Sequence, residues 1–191
     1  VEDIEGLVSV NQVKSVQAIH TNPVELKDDY RAKNALIDEE EYGPSYTQIS
    51  MLNGQFLHDL GYFGEGINIA VLDAGFRHTD ILPIFSMLRD DGRIIDTHDF
   101  VDGDDYVYEA SNHGMQVLST MAGYMTDSLI GTGFKANYHL FRTEESGAEN
   151  VVEEDNWVAA AEYADSLGID LFNTSLGYSL FDDPSMDHSY E

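Results

Sequence analysis

An aspartate and a histidine stand where their side chains could share a proton. Asp73 closes the apolar run 67–72, and His113 opens the segment 113–118. A partly desolvated carboxylate needs a partner, and one that accepts the Nδ1 proton of an imidazole leaves Nε2 free to take a proton from a hydroxyl group. The two residues therefore predict general-base chemistry that activates a hydroxyl nucleophile.

His113 is the best candidate among the seven histidines because it alone is followed by glycine and begins a predicted helix. A single aspartate at a strand end is more often a turn or cap residue, and a single His-Gly pair is more often structural. The combination becomes more specific with Ser175, Leu176 and Gly177 further along the chain.

The elements that position these residues alternate between strands and helices. Apolar runs predict parallel strands, helical spacing predicts amphipathic helices, and Ser45, Asn112 and Gly168 mark helix ends. The strands are expected at 67–73, 93–100 and 137–142, with a last one through Leu171 and Phe172, and the helices at 45–61, 113–123 and 153–167. This order predicts an α/β fold with a doubly wound parallel sheet.

Composition narrows the class of partner. The chain has 191 residues, 42% of them hydrophobic, with 36 acidic and 9 basic side chains and a formal net charge of -27. Such a surface repels nucleic acid and anionic lipid, and no apolar run reaches the ~18 residues of a membrane span. We therefore expect no nucleic acid and no membrane partner. The absence of cysteine excludes disulfides and thiolate metal sites.

The acidic excess itself leaves three explanations open: solubility of a secreted protein, a saline habitat, or oxygen ligands for calcium. The loop with Asp99, Asp102, Asp104 and Asp105 is compatible with calcium, although its spacing fits no EF-hand and a solvated loop is the simpler interpretation. The glutamates 144, 145, 149 and 153 are expected at the surface.

The first forty residues differ in character from the rest. Apolar residues between Leu7 and Val16 indicate a short strand or two, and the run 38–41 is expected to be an exposed acidic linker. The chain therefore divides into an N-terminal extension, residues 1–42, and a domain formed by residues 43–191.

The motifs together resemble the subtilisin-like serine proteases, the subtilases. The family's aspartate motif is matched by Ile69 to Gly75, its histidine motif by His113 to Ser119, and its Ser-Leu-Gly substrate-binding strand by Ser175 to Gly177. The chain departs from the pattern at Ala74, Met115 and Leu118. Over residues 43–191 the resemblance implies the N-terminal part of a subtilisin-like catalytic domain, incomplete within these residues.

The resemblance implies a serine endopeptidase with an Asp-His-Ser triad, in which Asp73 and His113 are catalytic and Ser175, Leu176 and Gly177 bind a peptide or protein substrate. It implies no required cofactor and no catalytic metal, a secreted or cell-surface location, and a propeptide tail within residues 1–42.

The serine and the oxyanion-hole asparagine are not found in the sequence. Only 78 residues follow His113 (191 minus 113), whereas this triad order places the serine roughly 160 residues beyond its histidine. We expect them in the remaining C-terminal part of the same precursor. The alternative is a catalytically inactive fragment or pseudoprotease that binds peptides or a propeptide.

A receiver-like phosphotransfer domain would also place an aspartate after an apolar strand. It requires clustered acids for magnesium and a suitably placed lysine. Asp73 has no second aspartate beside it, and Lys135 is the only nearby core lysine, so the sequence disfavours this class.

Overall fold

A four-stranded parallel sheet organises the part of the chain that the computed structural model describes, residues 36–178 and 180–188. In chain order the elements are α1 (Glu39–Tyr42), α2 (Tyr46–Met51), α3 (Gly54–Asp59), β1 (Asn68–Asp73), α4 (Ser86–Asp90), β2 (Ile94–Asp99), α5 (His113–Ala122), β3 (Tyr124–Met125), β4 (Leu129–Ile130), β5 (Asn137–Arg142), α6 (Val152–Ser166) and β6 (Leu171–Thr174). The strand order is β2-β5-β1-β6, and β3 and β4 form a separate antiparallel pair.

Helices cover both faces of the sheet. Val71 and Leu140 face α5 and pack with its Leu118, whereas Leu72 and Phe141 face α6 and pack with Ala160. Burial of β1 on both faces explains why its sequence is a continuous apolar run rather than an alternating one. The prediction of an α/β, doubly wound parallel sheet is confirmed.

The prediction of one continuous helix over 45–61 is wrong. The chain forms a 3₁₀ turn at Gly43–Ser45 and then α2 and α3, separated by Asn53 at a positive φ of 55°. The Ser45 hydroxyl donates to the Tyr42 carbonyl and accepts from the Ile130 N–H instead of capping a helix. The apolar residues of the amphipathic helix expected here are therefore not buried together: Leu52, Leu57 and Leu60 are exposed.

The acidic run 38–41, expected as a linker, begins helix α1. The Asp38 N–H donates to a Glu41 carboxylate oxygen at 3.0 Å, which satisfies one of the free N–H groups at the helix start. Tyr42 ends the helix and is buried against Ile49 and Phe134. The predicted strands between Leu7 and Val16, and the propeptide interpretation, fall on residues outside those described.

The acidic loop after β2 uses its carboxylates to build its own structure. Buried Asp99 accepts from the N–H groups of Val101 and Asp102 and pairs with Arg142 at 2.7 Å. Asp102 also pairs with Arg142, and Asp105 with His98. Within residues 36–178 and 180–188, no group of three or more His, Cys, Asp or Glu is arranged to hold a metal ion.

No helix within the described residues combines the length and the apolar character that a bilayer-spanning helix needs.

Candidate active site

Asp73 lies at the carboxyl end of the central strand β1, with no exposed surface. Its carbonyl accepts the Thr143 N–H at 3.1 Å, and its Oδ1 accepts the Ala74 N–H at 2.7 Å. The residue that follows β5 thus holds the Asp73 carbonyl, and the turn after β1 holds its carboxylate. The carboxyl ends of parallel strands are where backbone leaves the core and functional groups collect.

His113 is held over this carboxylate at the first residue of α5. Its Nδ1 lies 2.8 Å from Oδ1 and 3.0 Å from Oδ2 of Asp73, and half of the side chain is exposed. The backbone N–H of His113 donates to the Ser111 hydroxyl at 3.1 Å, while Asn112, the predicted cap, forms no capping bond. The contact between imidazole and carboxylate that the sequence predicts is therefore present.

Two glycines permit this approach. A Cβ on Gly114 would lie 2.6 Å from the Gly75 carbonyl oxygen and 2.8 Å from the Asp73 Cβ. Gly75 has φ 139°, and a Cβ there would lie 2.7 Å from the Ser111 nitrogen. The glycine that singled out His113 in the sequence is thus a steric requirement for bringing the start of α5 against the end of β1.

Burial raises the pKa of the Asp73 carboxyl group, and the hydrogen bonds from His113 and Ala74 oppose this rise. An ionised carboxylate out of contact with water is costly unless a positive or hydrogen-bonding group faces it. The Nδ1–H of His113 is the hydrogen-bonding group that faces the Asp73 carboxylate here. Donation from Nδ1 to Asp73 leaves Nε2 as the basic nitrogen.

Two glutamates expected at the surface lie inward instead. Glu144 follows β5, and burial raises its pKa to about 7, with the Tyr178 hydroxyl opposing the rise and the charges of Glu153 and Asp73 adding to it. Glu153 is buried because it accepts the N–H groups of Glu145 and Asn150. Sequence reasoning missed this arrangement, since a loop that folds back onto the start of its own helix has no periodic signature.

The segment 175–177 leaves the sheet at the carboxyl ends of the strands, the same end at which Asp73 lies. Thr174, at the end of β6, is in register with Leu72, the residue before Asp73. Ser175 and Gly177 are exposed and Leu176 is half-buried. The geometry therefore places this segment beside the strand that carries the carboxylate.

No serine hydroxyl in the described ranges is hydrogen-bonded to the His113 imidazole. The Ser119 hydroxyl donates to the Gln116 carbonyl in its own helix, and that of Ser185 donates to Asp183. Ser175 is 3.3 Å from an Asn173 side-chain oxygen. The described residues thus contain a carboxylate hydrogen-bonded to an imidazole, but no serine hydroxyl that is hydrogen-bonded to the same imidazole.

The model of the subtilase family matches residues 64–189 of the chain. The chain is 30% identical to the minor extracellular protease Vpr of Bacillus subtilis over 180 residues, and 26% identical to subtilisin E of the same organism over 164 residues. These matches cover 88% and 80% of this chain but 21% of Vpr and 39% of subtilisin E.

Among solved structures, the crystal structure of MycP1 with the N-terminal propeptide removed matches with a TM-score of 0.48 at 20% identity. That match covers 65% of this chain and 36% of MycP1. The family match spans both Asp73 and His113 and extends through the Ser175 segment. This chain belongs to the subtilase family.

Proposed function

We propose that this chain supplies the aspartate and the histidine of a secreted serine endopeptidase. The observation that carries the proposal is the hydrogen bond from His113 Nδ1 to the buried Asp73 carboxylate, in a chain of the subtilase family. The secreted location rests on the resemblance to an extracellular protease. Asp73 orients the imidazole, and His113 is the general base and then the general acid.

In the proposed reaction, a serine hydroxyl gives its proton to His113 Nε2 while its oxygen attacks the peptide carbonyl carbon. The tetrahedral intermediate expels the amine, which takes the proton from His113, and an acyl-enzyme remains. Water repeats the sequence and releases the acid. Asp73 stays ionised throughout and stabilises the imidazolium that forms twice in each cycle.

We propose that the serine comes from a polypeptide segment that packs on the free side of β6, from the remaining C-terminal part of the same precursor. In the described part of the chain, β6 pairs with β1 and has no strand on its other side. Its Leu171 and Phe172 are 49% and 41% exposed. An unpaired apolar strand edge is a surface on which another strand would add.

The proposed substrate is an extended peptide that pairs with the backbone of residues 175–177. Addition of a strand provides main-chain hydrogen bonds that tolerate many sequences. This segment begins directly after Thr174, which is in register with Leu72, the residue before Asp73. A peptide bound along the segment would therefore pass close to His113.

The test is hydrolysis of a fluorogenic peptide by the full-length protein. Asp73→Ala and His113→Ala should each lower kcat/KM by at least about a thousandfold, whereas His98→Ala, at a surface histidine that pairs with Asp105, should not. A fluorophosphonate probe should label one serine, and mass spectrometry of the labelled peptide locates it. Undiminished hydrolysis in both variants would exclude the mechanism.

A second candidate is peptide binding without turnover. It is favoured by the absence, among described residues, of a hydroxyl on the His113 imidazole. It predicts that the full-length protein binds peptides, resists the fluorophosphonate probe and shows no His113-dependent hydrolysis. Labelling of any serine together with loss of labelling in His113→Ala would reject this candidate.

A further inference from the structure

A polar cleft of about 480 Å³ adjoins the candidate active site. Ser111 and Asn112, which immediately precede His113, form one wall, and Arg77 forms part of another. The loop after β5 contributes Glu145. The cleft therefore lies on the β5 side of the Asp73 and His113 pair, opposite the β6 side on which residues 175–177 leave the sheet.

Arg77 is the free positive charge of this cleft. Within residues 36–178 and 180–188, the side chain of every other lysine or arginine bonds to a carboxylate or to a backbone carbonyl oxygen. The Arg77 side chain alone has neither an ion pair nor a hydrogen bond. The partners are carbonyl oxygens of Thr79 and Leu82 for Arg89, Asp91 for Arg93, Glu65 for Lys135, and Asp99 with Asp102 for Arg142. Arg142 also lines the cleft, but its two carboxylate partners cancel its charge.

The backbone that carries Arg77 is fixed although its side chain is exposed. The Arg77 N–H donates to the Ser111 carbonyl at 2.9 Å, and that of the preceding residue, fully buried Phe76, donates to Val107. The guanidinium group therefore extends from a rigid position that is tied to the same segment as His113. A recognition group on a fixed backbone loses less conformational entropy when a ligand binds.

We propose that Arg77 makes this cleft a subsite for an acidic side chain of the peptide substrate. The proposal rests on the proposed function, because a peptide that lies along residues 175–177 and crosses His113 continues toward the cleft. A guanidinium group binds a carboxylate through two parallel hydrogen bonds, which a neutral or basic side chain cannot reproduce. In a chain with a net charge of -27, a local cation is needed to admit an acidic residue at all.

Glu145 lines the same cleft and carries the charge opposite to that of Arg77. It is exposed, and no ion pair joins it to Arg77 among the described residues. Its charge repels the same carboxylate that Arg77 attracts, so removal of this charge should strengthen acidic binding. The two residues provide variants with opposite expected effects in one cleft.

The experiment measures binding and hydrolysis with the full-length protein. A series of labelled octapeptides places Glu, Gln or Lys at a single variable position. Across the series, this position is each of the three residues before and the three residues after the cleaved bond. Binding is measured by fluorescence anisotropy in a His113→Ala background, and hydrolysis with His113 intact. The variants are Arg77→Gln, Arg77→Glu and Glu145→Gln, and the control is Lys135→Gln, a surface lysine that pairs with Glu65.

At one position, glutamate should bind about three- to fivefold more tightly than lysine, with the preference reduced by salt. Arg77→Gln should remove the preference, Arg77→Glu should reverse it by about tenfold, Glu145→Gln should increase it, and Lys135→Gln should leave it unchanged. An acidic preference that survives Arg77→Glu, or no acidic preference at any position, would overturn the proposal.

The two measurements separate this subsite from the protease assignment. Arg77-dependent binding without hydrolysis would leave the cleft in place and reject the endopeptidase. Hydrolysis that depends on His113 but not on the charge of the peptide would support the endopeptidase and reject the acidic subsite.

Discussion

Gly114 lies directly against Asp73, so close that a Cβ on the glycine would be 2.8 Å from the Cβ of the aspartate. The residue after the histidine therefore sets how near the imidazole can come to the carboxylate. The same position would bring a Cβ within 2.6 Å of the Gly75 carbonyl oxygen, which is backbone and has little freedom to move. The geometry of the Asp73–His113 contact therefore depends on a residue whose own side chain is a single hydrogen atom.

Gly114→Ala should separate Asp73 from His113 because backbone must shift to admit the methyl group. We expect kcat/KM of the full-length protein to fall by about a hundredfold and the free energy of unfolding by about 1–3 kcal/mol. Peptide hydrolysis and urea denaturation measure the two effects. Gln116→Ala, at an exposed position of the same helix, is the control and should change neither. Full activity in Gly114→Ala would contradict the steric argument.

Asp73→Asn should abolish activity without loss of stability. Burial raises the pKa of Asp73, so the folded state holds this proton more tightly than the unfolded chain. The contribution of Asp73 to the free energy of unfolding therefore decreases as pH rises through the unfolded and then the folded pKa. At pH 7 the charge is a cost that the isosteric amide removes.

We expect hydrolysis by Asp73→Asn to fall by about 10⁴-fold, since the amide favours the wrong imidazole tautomer. Urea denaturation should give a free energy of unfolding at pH 7 equal to or above that of the parent, and the advantage should shrink at pH 4. Inactivity accompanied by a large loss of stability would instead indicate that Asp73 is a structural residue.

The strands and the site contact were predictable because each has a local signature. A continuous apolar run identified β1, and β5 was predicted with the bounds that the structure has. Asp73 and His113 were paired from their types, the following glycine and the motif order. The carboxyl ends of parallel strands meet at one edge, so the alternation of elements already implied that they could be close.

What the sequence missed depends on contacts between distant segments. The break between α2 and α3 lies at Asn53, which adopts a positive φ, and the bond from Ile130 to Ser45 at the start of the segment joins residues far apart in the chain, so no local pattern reveals either. The inward position of Glu153 arises from a loop that folds back to it. Arg77 carries no signal in the sequence, because its importance comes from the side-chain ion pairs or hydrogen bonds that the other described lysines and arginines make and that it does not.

The buried pair Asp99 and Arg142 should be strongly coupled. Both side chains are almost fully buried, and they join the carboxyl ends of β2 and β5 at 2.7 Å. Arg142→Met leaves Asp99 buried without its cation and should lower the free energy of unfolding by about 3–5 kcal/mol.

Combination of Arg142→Met with Asp99→Asn should recover part of this loss, because the uncompensated charge is then removed as well. Chemical denaturation of the parent, both single variants and the double variant completes the cycle. Strictly additive effects would show that the two side chains do not stabilise each other.

His58 should make stability sensitive to mild acid. Its Nδ1 is 2.7 Å from the Tyr42 hydroxyl, and its Nε2–H donates a hydrogen bond to the Thr132 carbonyl oxygen at 3.0 Å. Burial lowers the pKa of His58, while the Thr132 carbonyl and the charge of Asp59 oppose the change. The folded state therefore resists a proton that the unfolded chain accepts.

Above the unfolded pKa of about 6.5 both states are neutral at His58 and its contribution to stability is complete. As pH falls below that value, the unfolded chain binds the proton first, and the free energy of unfolding declines until the folded pKa is passed. His58→Gln should be less stable than the parent at pH 8, since it loses ring contacts with Tyr42 and Phe134, but the difference should narrow at pH 5.5. Denaturation of both proteins at the two pH values isolates His58 from the other titrating groups, and a difference that is constant or widens in acid would refute the assignment.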